Sequence, residues 1–344
     1  MSLKRYYYFS KKYLQLKKYQ ITGEKKPITC MISVTSNCNS GCLTCNFWQL
    51  RSKDELTLYE IKKIFSSPVM SNLKNIGITG GEPTLRPDLS EIIKSIYEIT
   101  KVKPTLSTNG WMPKKVDAIL KENKNIMRNV GTSVDGLEKT HDKIRGLNGG
   151  FARVKETVEI VKNNGLRPNI DTTISKGNYK ELPEIIKEWK GYDHDFKIAQ
   201  SSEYYYADNT NCNFELNNEE KSEFIEILEE LQPNVSVNKP YSFFLKDWIK
   251  TKKRPTCHAA RFEIFIDSHG NIQPCTHKPA IGNIREKSLE EIWYSQDADK
   301  LRNVYKNCTD CYERCTTSDF WVSPFKWRAI ALAKKMKNKL GIQA

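Results

Sequence analysis

The sequence predicts an α/β protein: a partial (β/α)6 barrel followed by a smaller cysteine-rich domain. Three observations predict it. Between residues 28 and 232, short apolar or β-branched runs alternate with amphipathic helical stretches. The glycine-rich and polar clusters of that stretch fall at strand ends, where parallel α/β folds place their chemistry. Beyond about residue 235 the alternation stops and a second set of cysteines appears.

Six strands are expected, at 28–35, 75–79, 103–108, 129–134, 166–173 and 196–200. Helices are expected at 57–66, 88–99, 113–122, 151–164, 179–189 and 217–231. Thr57 with Glu60 three residues on has the form of a capping box, and Pro87-Asp88 opens the second helix. Five helices lie between strands and the sixth follows the last, so the sheet should be parallel and curved, TIM-like. The cysteine cluster follows the first strand and Gly80-Gly81-Glu82-Pro83 the second. Ser107-Thr108-Asn109-Gly110 ends the third and Ser133-Val134-Asp135-Gly136 the fourth, although the latter is good turn chemistry by itself. The expected division is 1–27, a basic extension; 28–234, the barrel; 235–320, the cysteine-rich domain; and 321–344, a basic amphipathic helix.

Of the 344 residues, 38% are hydrophobic and 10% aromatic, which suits a folded globular chain. No apolar run reaches 18 residues, and MSLKRYYYFSKKY lacks the apolar core of a secretory signal. The expected location is the cytoplasm, where thiols stay reduced. Ten cysteines there point to metal or catalysis before disulfides. The net charge of +14 is concentrated at the ends, +7 over 1–27 and +6 over 325–344, leaving the body nearly neutral. That argues against a nucleic-acid-coated surface and for an anionic partner at the ends.

Cys38, Cys42 and Cys45 stand in SNCNSGCLTCNFW. Three thiols are one too few for a structural zinc and leave one over from disulfides. They suit a [4Fe–4S] cluster with one open iron. CxxxCxxC followed by a strand ending in GGEP resembles the radical SAM superfamily over about 28–235. The resemblance implies that the open iron chelates S-adenosylmethionine (SAM). An electron from the cluster then releases a 5′-deoxyadenosyl radical, which takes hydrogen from an unactivated C–H bond. It implies that Gly80 and Gly81 allow close approach to the ligand and that Glu82 accepts from the SAM ammonium. Ser107, Asn109, Ser133 and Asp135 are the further cofactor-binding candidates, with Ile174 and Asn178 near the adenine. Arg145, in HDKIRG, resembles a family segment, with a surface role left open. The family often has an aromatic before the third cysteine; Thr44 stands there, so Phe47 or Trp48 is expected to cover the cluster. Cys30 reads as core packing and Cys212 as a loop residue with no assigned role.

The later cysteines are Cys257, Cys275, Cys308, Cys311 and Cys315. Cys257, Gly270 and Cys275 are spaced as at the opening of SPASM and twitch domains, with a hairpin turning at Ser268-His269-Gly270-Asn271. Five cysteines allow one auxiliary [4Fe–4S] cluster with one thiol to spare; spacing leaves open which, and a zinc site remains the alternative. The aspartate that follows Cys275's counterpart in anaerobic sulfatase maturases is Thr276 here, so His277 and His258 are the candidate bases.

Residues 325–344 place apolar and basic side chains on different helical faces, suited either to packing on the barrel or to an anionic membrane surface. Only about 27 residues precede the first strand, which argues against a peptide maturase with its own N-terminal recognition domain. The expected substrate is sugar-like, lipid or lipid-linked. The alternatives are a peptide, or no catalysis at all and an iron–sulfur or zinc protein at an anionic surface. The expected electron donor is of ferredoxin or flavodoxin type.

Overall fold

The computed structural model describes residues 25–50, 52–231, 239–253, 257, 259–305 and 307–312. Six parallel strands stand in chain order: β1 (Thr29–Ser33), β2 (Asn75–Thr79), β3 (Thr105–Thr108), β4 (Asn129–Ser133), β5 (Arg167–Ile174) and β6 (Asp193–Ile198). The crossovers are α1 (Leu58–Ser66), α2 (Leu89–Thr100), α3 (Pro113–Asn123), the pair α4 (Glu138–Arg145) and α5 (Gly150–Asn163), and α6 (Leu182–Glu188). After β6 come α7 (Asn218–Leu231) and α8 (Lys239–Thr251). The expected capping box forms, with Thr57 and Glu60 each accepting from the other's backbone N–H.

Alternation along the strands separates two faces. Cys30, Ile32, Ile76, Ile78, Leu106 and Val130 pack with Ile61, Ile64, Ile92, Ile96, Val116 and Leu120 of the helices. Each such side chain contributes about 1.5–3 kcal/mol by burial. Cys30 is part of this core, as expected. The opposite face is polar and half-buried, carrying Ser107, Ser133, Asp171, Thr173, Asp195 and Lys197. Ser133 pairs with Asp171, and Asp171 with Asp195.

Three elements differ from expectation. α4 is additional; LEKTHDKIRG is too polar to announce a helix, and only His141 and Ile144 of α4 are buried. β6 begins at Asp193, because Asp193 and Asp195 lie in its half-buried row while His194 and Phe196 supply the buried one. Third, β7 (Glu263–Ile266) pairs in parallel with β1, from Thr29↔Glu263 to Ile32↔Ile266, and β8 (Ile272–Gln273) pairs antiparallel with β7. The sheet order is β6-β5-β4-β3-β2-β1-β7-β8, so the hairpin expected in a separate unit continues the barrel sheet. Its turn is the expected one: Gly270 has φ +86°, and Asp267 accepts from His269 N and Asn271 N at 2.9 Å. α9 (Leu289–Trp293) and α10 (Gln296–Tyr305) follow.

Among the described residues no helix is long and apolar enough to cross a membrane. The basic ends, His258 and Cys315 lie outside the described residues.

Candidate functional site

The segment leaving β1 carries the three cysteines across the carboxyl end of the sheet. Glu55 Oε1 accepts from Thr35 Oγ1 (2.8 Å) and Ser36 N (2.7 Å). Arg86 donates to Val34 O and Leu56 O, both at 2.6 Å, and pairs with Asp88 at 2.7 Å. The last turn of α4 holds the other side, where Leu43 N donates to Ile144 O and Ser40 Oγ to Arg145 O, both at 2.9 Å. Gly146 closes α4 at φ +63°, and a Cβ there would lie 2.6 Å from Gly41 O. Cys42 is thus fixed between two elements distant in sequence.

The Cys38 and Cys45 thiols are pushed up to about 12, chiefly by burial, with the charge of Cys42 adding to the rise and Arg145 opposing it. Three mutually repelling sulfurs with one cation nearby form a soft, all-sulfur donor set that suits iron–sulfur ligation. Among the described residues, no three His, Cys, Asp or Glu converge closely enough to hold a single metal ion.

Glu82 and its glycines are engaged within the chain. Glu82 is fully buried. Its Oε1 accepts from Thr84 N (3.0 Å), Thr84 Oγ1 (2.6 Å) and Thr108 Oγ1 (2.8 Å), and Oε2 from Asn109 N (2.7 Å). The carboxylate therefore ties the end of β2 to the end of β3. Burial raises its pKa, and these four donors oppose the rise. The close approach at Gly80 and Gly81 is to the cysteine segment: a Cβ would lie 2.4 Å from Thr35 O at Gly80 and 2.3 Å from Asn37 O at Gly81. Gly81 N donates to Thr35 O and Glu82 N to Asn37 O. Asn109 continues the tie, with Nδ2 donating to Asn39 Oδ1 at 2.8 Å and Oδ1 accepting from Trp111 N.

Asp135 is 1% exposed and pairs with Arg145 Nη2 at 2.8 Å, while Oδ1 accepts from Thr173 N at 2.7 Å. Arg145 is no surface residue: its side chain is 14% exposed, and Nη1 donates to Cys42 Sγ at 3.7 Å. Its buried Nε has no partner among the described residues. His141 Nδ1 accepts from Asp135 N, and burial lowers its pKa to about 4. Asn178 Nδ2 donates to Asp135 O and Thr173 O, which makes it a brace, and Ile174 lies fully buried in a second core cluster. Ser107 and Ser133 are half-buried on the polar face.

Four of the five later cysteines come together. Burial raises the Cys275 thiol, and Cys311, Cys257 and Cys308 raise it further. Cys257, Cys275 and Cys311 are buried and Cys308 half-buried. His277 belongs to this site through its backbone, whose N–H donates to Cys275 Sγ at 3.3 Å.

The loop after β6 joins the two cysteine sites, which sequence reading missed. Asn46 N donates to Tyr206 O, Asn46 Nδ2 to Asp208 O and Asn209 Nδ2 to Thr44 O, each at 2.8 Å. Cys212 Sγ meets Asn46 Oδ1 at 3.5 Å. Toward the hairpin, Ser202 Oγ donates to Thr276 O (2.5 Å) and Gln273 Nε2 to Tyr204 O (3.1 Å). Tyr205 stands edge-on to Phe47 (5.6 Å) and Phe265 (4.9 Å). Trp48, expected over the cluster, is 45% exposed. Tyr206, Ala207 and Asp208 all have positive φ, a strain of about 1–3 kcal/mol each that the surrounding contacts must hold. The signals for this loop were the Tyr204-Tyr205-Tyr206 run and the asparagines at 209 and 211.

A parallel half-barrel with clustered thiols beyond its first strand is the architecture of radical SAM enzymes. Residues 32–188 match the radical SAM superfamily, and residues 257–315 match SPASM, an iron–sulfur cluster-binding domain. The chain is 26% identical to a Fe-coproporphyrin III synthase of Methanosarcina barkeri, over 91% of this chain and 86% of that protein. It is 26% identical to an AdoMet-dependent heme synthase of the same organism, over 79% and 82%. SuiB of Streptococcus suis bound to its precursor peptide SuiA shares the fold, with a TM-score of 0.64 at 19% identity over 85% of this chain and 70% of that one. The protein belongs to the radical SAM superfamily and carries a SPASM domain. It is accordingly an enzyme whose cofactors are a [4Fe–4S] cluster with SAM and auxiliary iron–sulfur.

Proposed function

We propose that this enzyme oxidises an unactivated C–H bond of a tetrapyrrole held on the polar face of the sheet, between the two cysteine sites. The observation that carries the substrate class is the two Methanosarcina relatives, a Fe-coproporphyrin III synthase and a heme synthase, matched along most of both chains. The aromatic group of Phe47, Tyr205, Tyr206 and Phe265, with Lys197 Nζ 2.6 Å from Tyr206 Oη, suits a flat ring system with anionic edges.

Cys38, Cys42 and Cys45 hold the cluster, which when bound supplies the electron that cleaves SAM to the hydrogen-abstracting radical. Glu82, Gly80, Gly81 and Asn109 hold the cysteine segment against β2 and β3. Asp135 keeps Arg145 charged and oriented beside Cys42, where the guanidinium would offer a cation to an anionic ligand group. Ser107 and Ser133 offer hydroxyls at the strand ends for the ribose. Cys257, Cys275, Cys308 and Cys311 would hold the auxiliary cluster, which would supply an acceptor for the electron left on the substrate. The proton that leaves with that electron would go to His277, beside Cys275. A ferredoxin- or flavodoxin-type donor supplies the starting electron.

The lipid-linked expectation rests on the basic ends, which lie outside the described residues, and the relatives support neither it nor a sugar-like substrate. The peptide reading rests on likeness of fold to SuiB and on a partial sequence match to the maturation protein SkfB, over 47% of this chain and 39% of that protein. Anaerobic reconstitution tests the proposal. It should give about eight irons per chain, release of 5′-deoxyadenosine under strong reductant, and faster release with iron coproporphyrin, accompanied by product two or four hydrogens lighter, about 2 or 4 Da. Absence of SAM cleavage would sink the enzyme. Cleavage that ignores tetrapyrroles and responds to a peptide or polyprenyl lipid would sink the substrate class.

A further inference from the structure

The auxiliary site contains a hydroxyl that nothing described above uses. Tyr305 ends α10, is 2% exposed and packs with Cys257, Ala259, Ala260 and Cys275. Its Oη is buried and has no hydrogen-bond partner among the described residues. Native structures seldom leave a buried donor unsatisfied, because its desolvation is then uncompensated. The phenol's neighbours are thiols from three separate segments. Burial raises its pKa, and the charges of Cys275, Cys257 and Cys308 raise it further. The Tyr305 carbonyl also accepts from Cys308 N at 3.1 Å, so the residue sets the turn that delivers the third thiol. Ring and backbone thus converge on the same three cysteines, Cys257, Cys275 and Cys308.

We propose that Tyr305 Oη–H donates a hydrogen bond to a sulfur of the auxiliary cluster and thereby raises that cluster's reduction potential. Reduction adds negative charge to the cluster, and a donor aimed at sulfur stabilises the more negative state. With His277 N–H already directed at Cys275 Sγ, the site then has two donors, one fixed by the backbone and one supplied by a side chain. Tyr305 is a positioning residue: it makes the auxiliary cluster a better acceptor for the electron leaving substrate. The proposal rests on Cys257, Cys275, Cys308 and Cys311 holding that cluster.

The test is a potentiometric titration of reconstituted wild-type enzyme and Tyr305→Phe, followed by EPR, with the SAM-cluster signal identified by its response to added SAM. The expected result is a lower potential for the auxiliary cluster alone, with the reduced-to-oxidised ratio at the wild-type midpoint falling roughly threefold or more. Pulse EPR in D2O should also show an exchangeable proton coupled to the auxiliary cluster in wild type and absent in the variant. If Tyr305→Phe assembles poorly, 3-fluorotyrosine at 305 keeps the shape and strengthens the donor, and should raise the potential. An unchanged midpoint and unchanged proton coupling at about eight irons per chain would overturn the proposal alone. About four irons in wild type, all in the SAM-responsive signal, would overturn the ligand assignment and the proposal with it.

Discussion

Arg145 Nη2 lies 2.8 Å from Asp135 Oδ2, and the same guanidinium reaches Cys42 Sγ at 3.7 Å through Nη1. One side chain thus joins the end of β4 to the cysteine segment. Arg145→Met leaves Asp135 buried without its cation, a loss of about 3–5 kcal/mol. Adding Asp135→Asn should recover part of that stability in denaturant titrations. Release of 5′-deoxyadenosine should stay abolished in both variants, because the neutral pair restores packing and not the cation.

The two cysteine sets should be separable by iron count. Cys38→Ala with Cys42→Ala and Cys45→Ala should lower iron from about eight to about four per chain and end SAM cleavage. Cys257→Ala with Cys275→Ala should lower iron to a similar level yet leave reductive SAM cleavage measurable by chromatography. Only product formation should then be lost.

Glu82→Gln places an amide among four donors that now meet a carboxylate. At least one N–H or hydroxyl must lose its acceptor, and the expected loss is about 2–4 kcal/mol. A lowered denaturation midpoint with full iron content would fit the structural role seen here. Normal stability with weakened SAM binding would instead restore direct contact with the ligand.

Gly41 and Gly81 make a matched pair of glycines. A Cβ at Gly81 would lie 2.3 Å from Asn37 O, whereas one at Gly41 meets nothing within 4 Å. Gly81→Ala should move the cysteine segment off β2, reduce iron at the SAM cluster and destabilise by roughly 2–4 kcal/mol. Gly41→Ala should change stability by less than about 0.5 kcal/mol. Thermal melts and iron assays on both variants check the contrast.

Two buried histidines make stability depend on pH. Burial lowers His141 and His194 to about 4 in the folded chain, against 6.5 for the free group. Below 6.5 the unfolded chain binds protons that the folded chain refuses. Stability is therefore full above that pH and falls as pH drops toward 4, by roughly 3 kcal/mol for each histidine. Denaturant titrations across this window on the iron-free chain should show the decline, and His194→Gln should remove about half of it.

Much of the barrel was legible because its signals are local. Strand runs, the Thr57–Glu60 cap, the turn at Gly270 and the spacing of Cys38, Cys42 and Cys45 are each written within a few residues. GGEP was legible too, but the intrachain partners of its side chains were not. The sequence marks Glu82 as chemically unusual, while only packing shows that Thr84, Thr108 and Asn109 occupy its carboxylate. A side chain's partners depend on which strand ends meet, and no local pattern carries that.

The sequence by itself determined the class of chemistry, because ligand type and spacing are properties of contiguous residues. It also pointed to a parallel sheet, because repeated single-helix crossovers return each strand in the same direction. Tertiary structure alone decided that β7 joins β1 and carries Cys275 toward the barrel, that α4 brings Arg145 to Cys42, and that the loop after β6 links both cysteine sites. Each of these joins residues about 70 to more than 230 positions apart, and their energy exists only once the chain between them has closed.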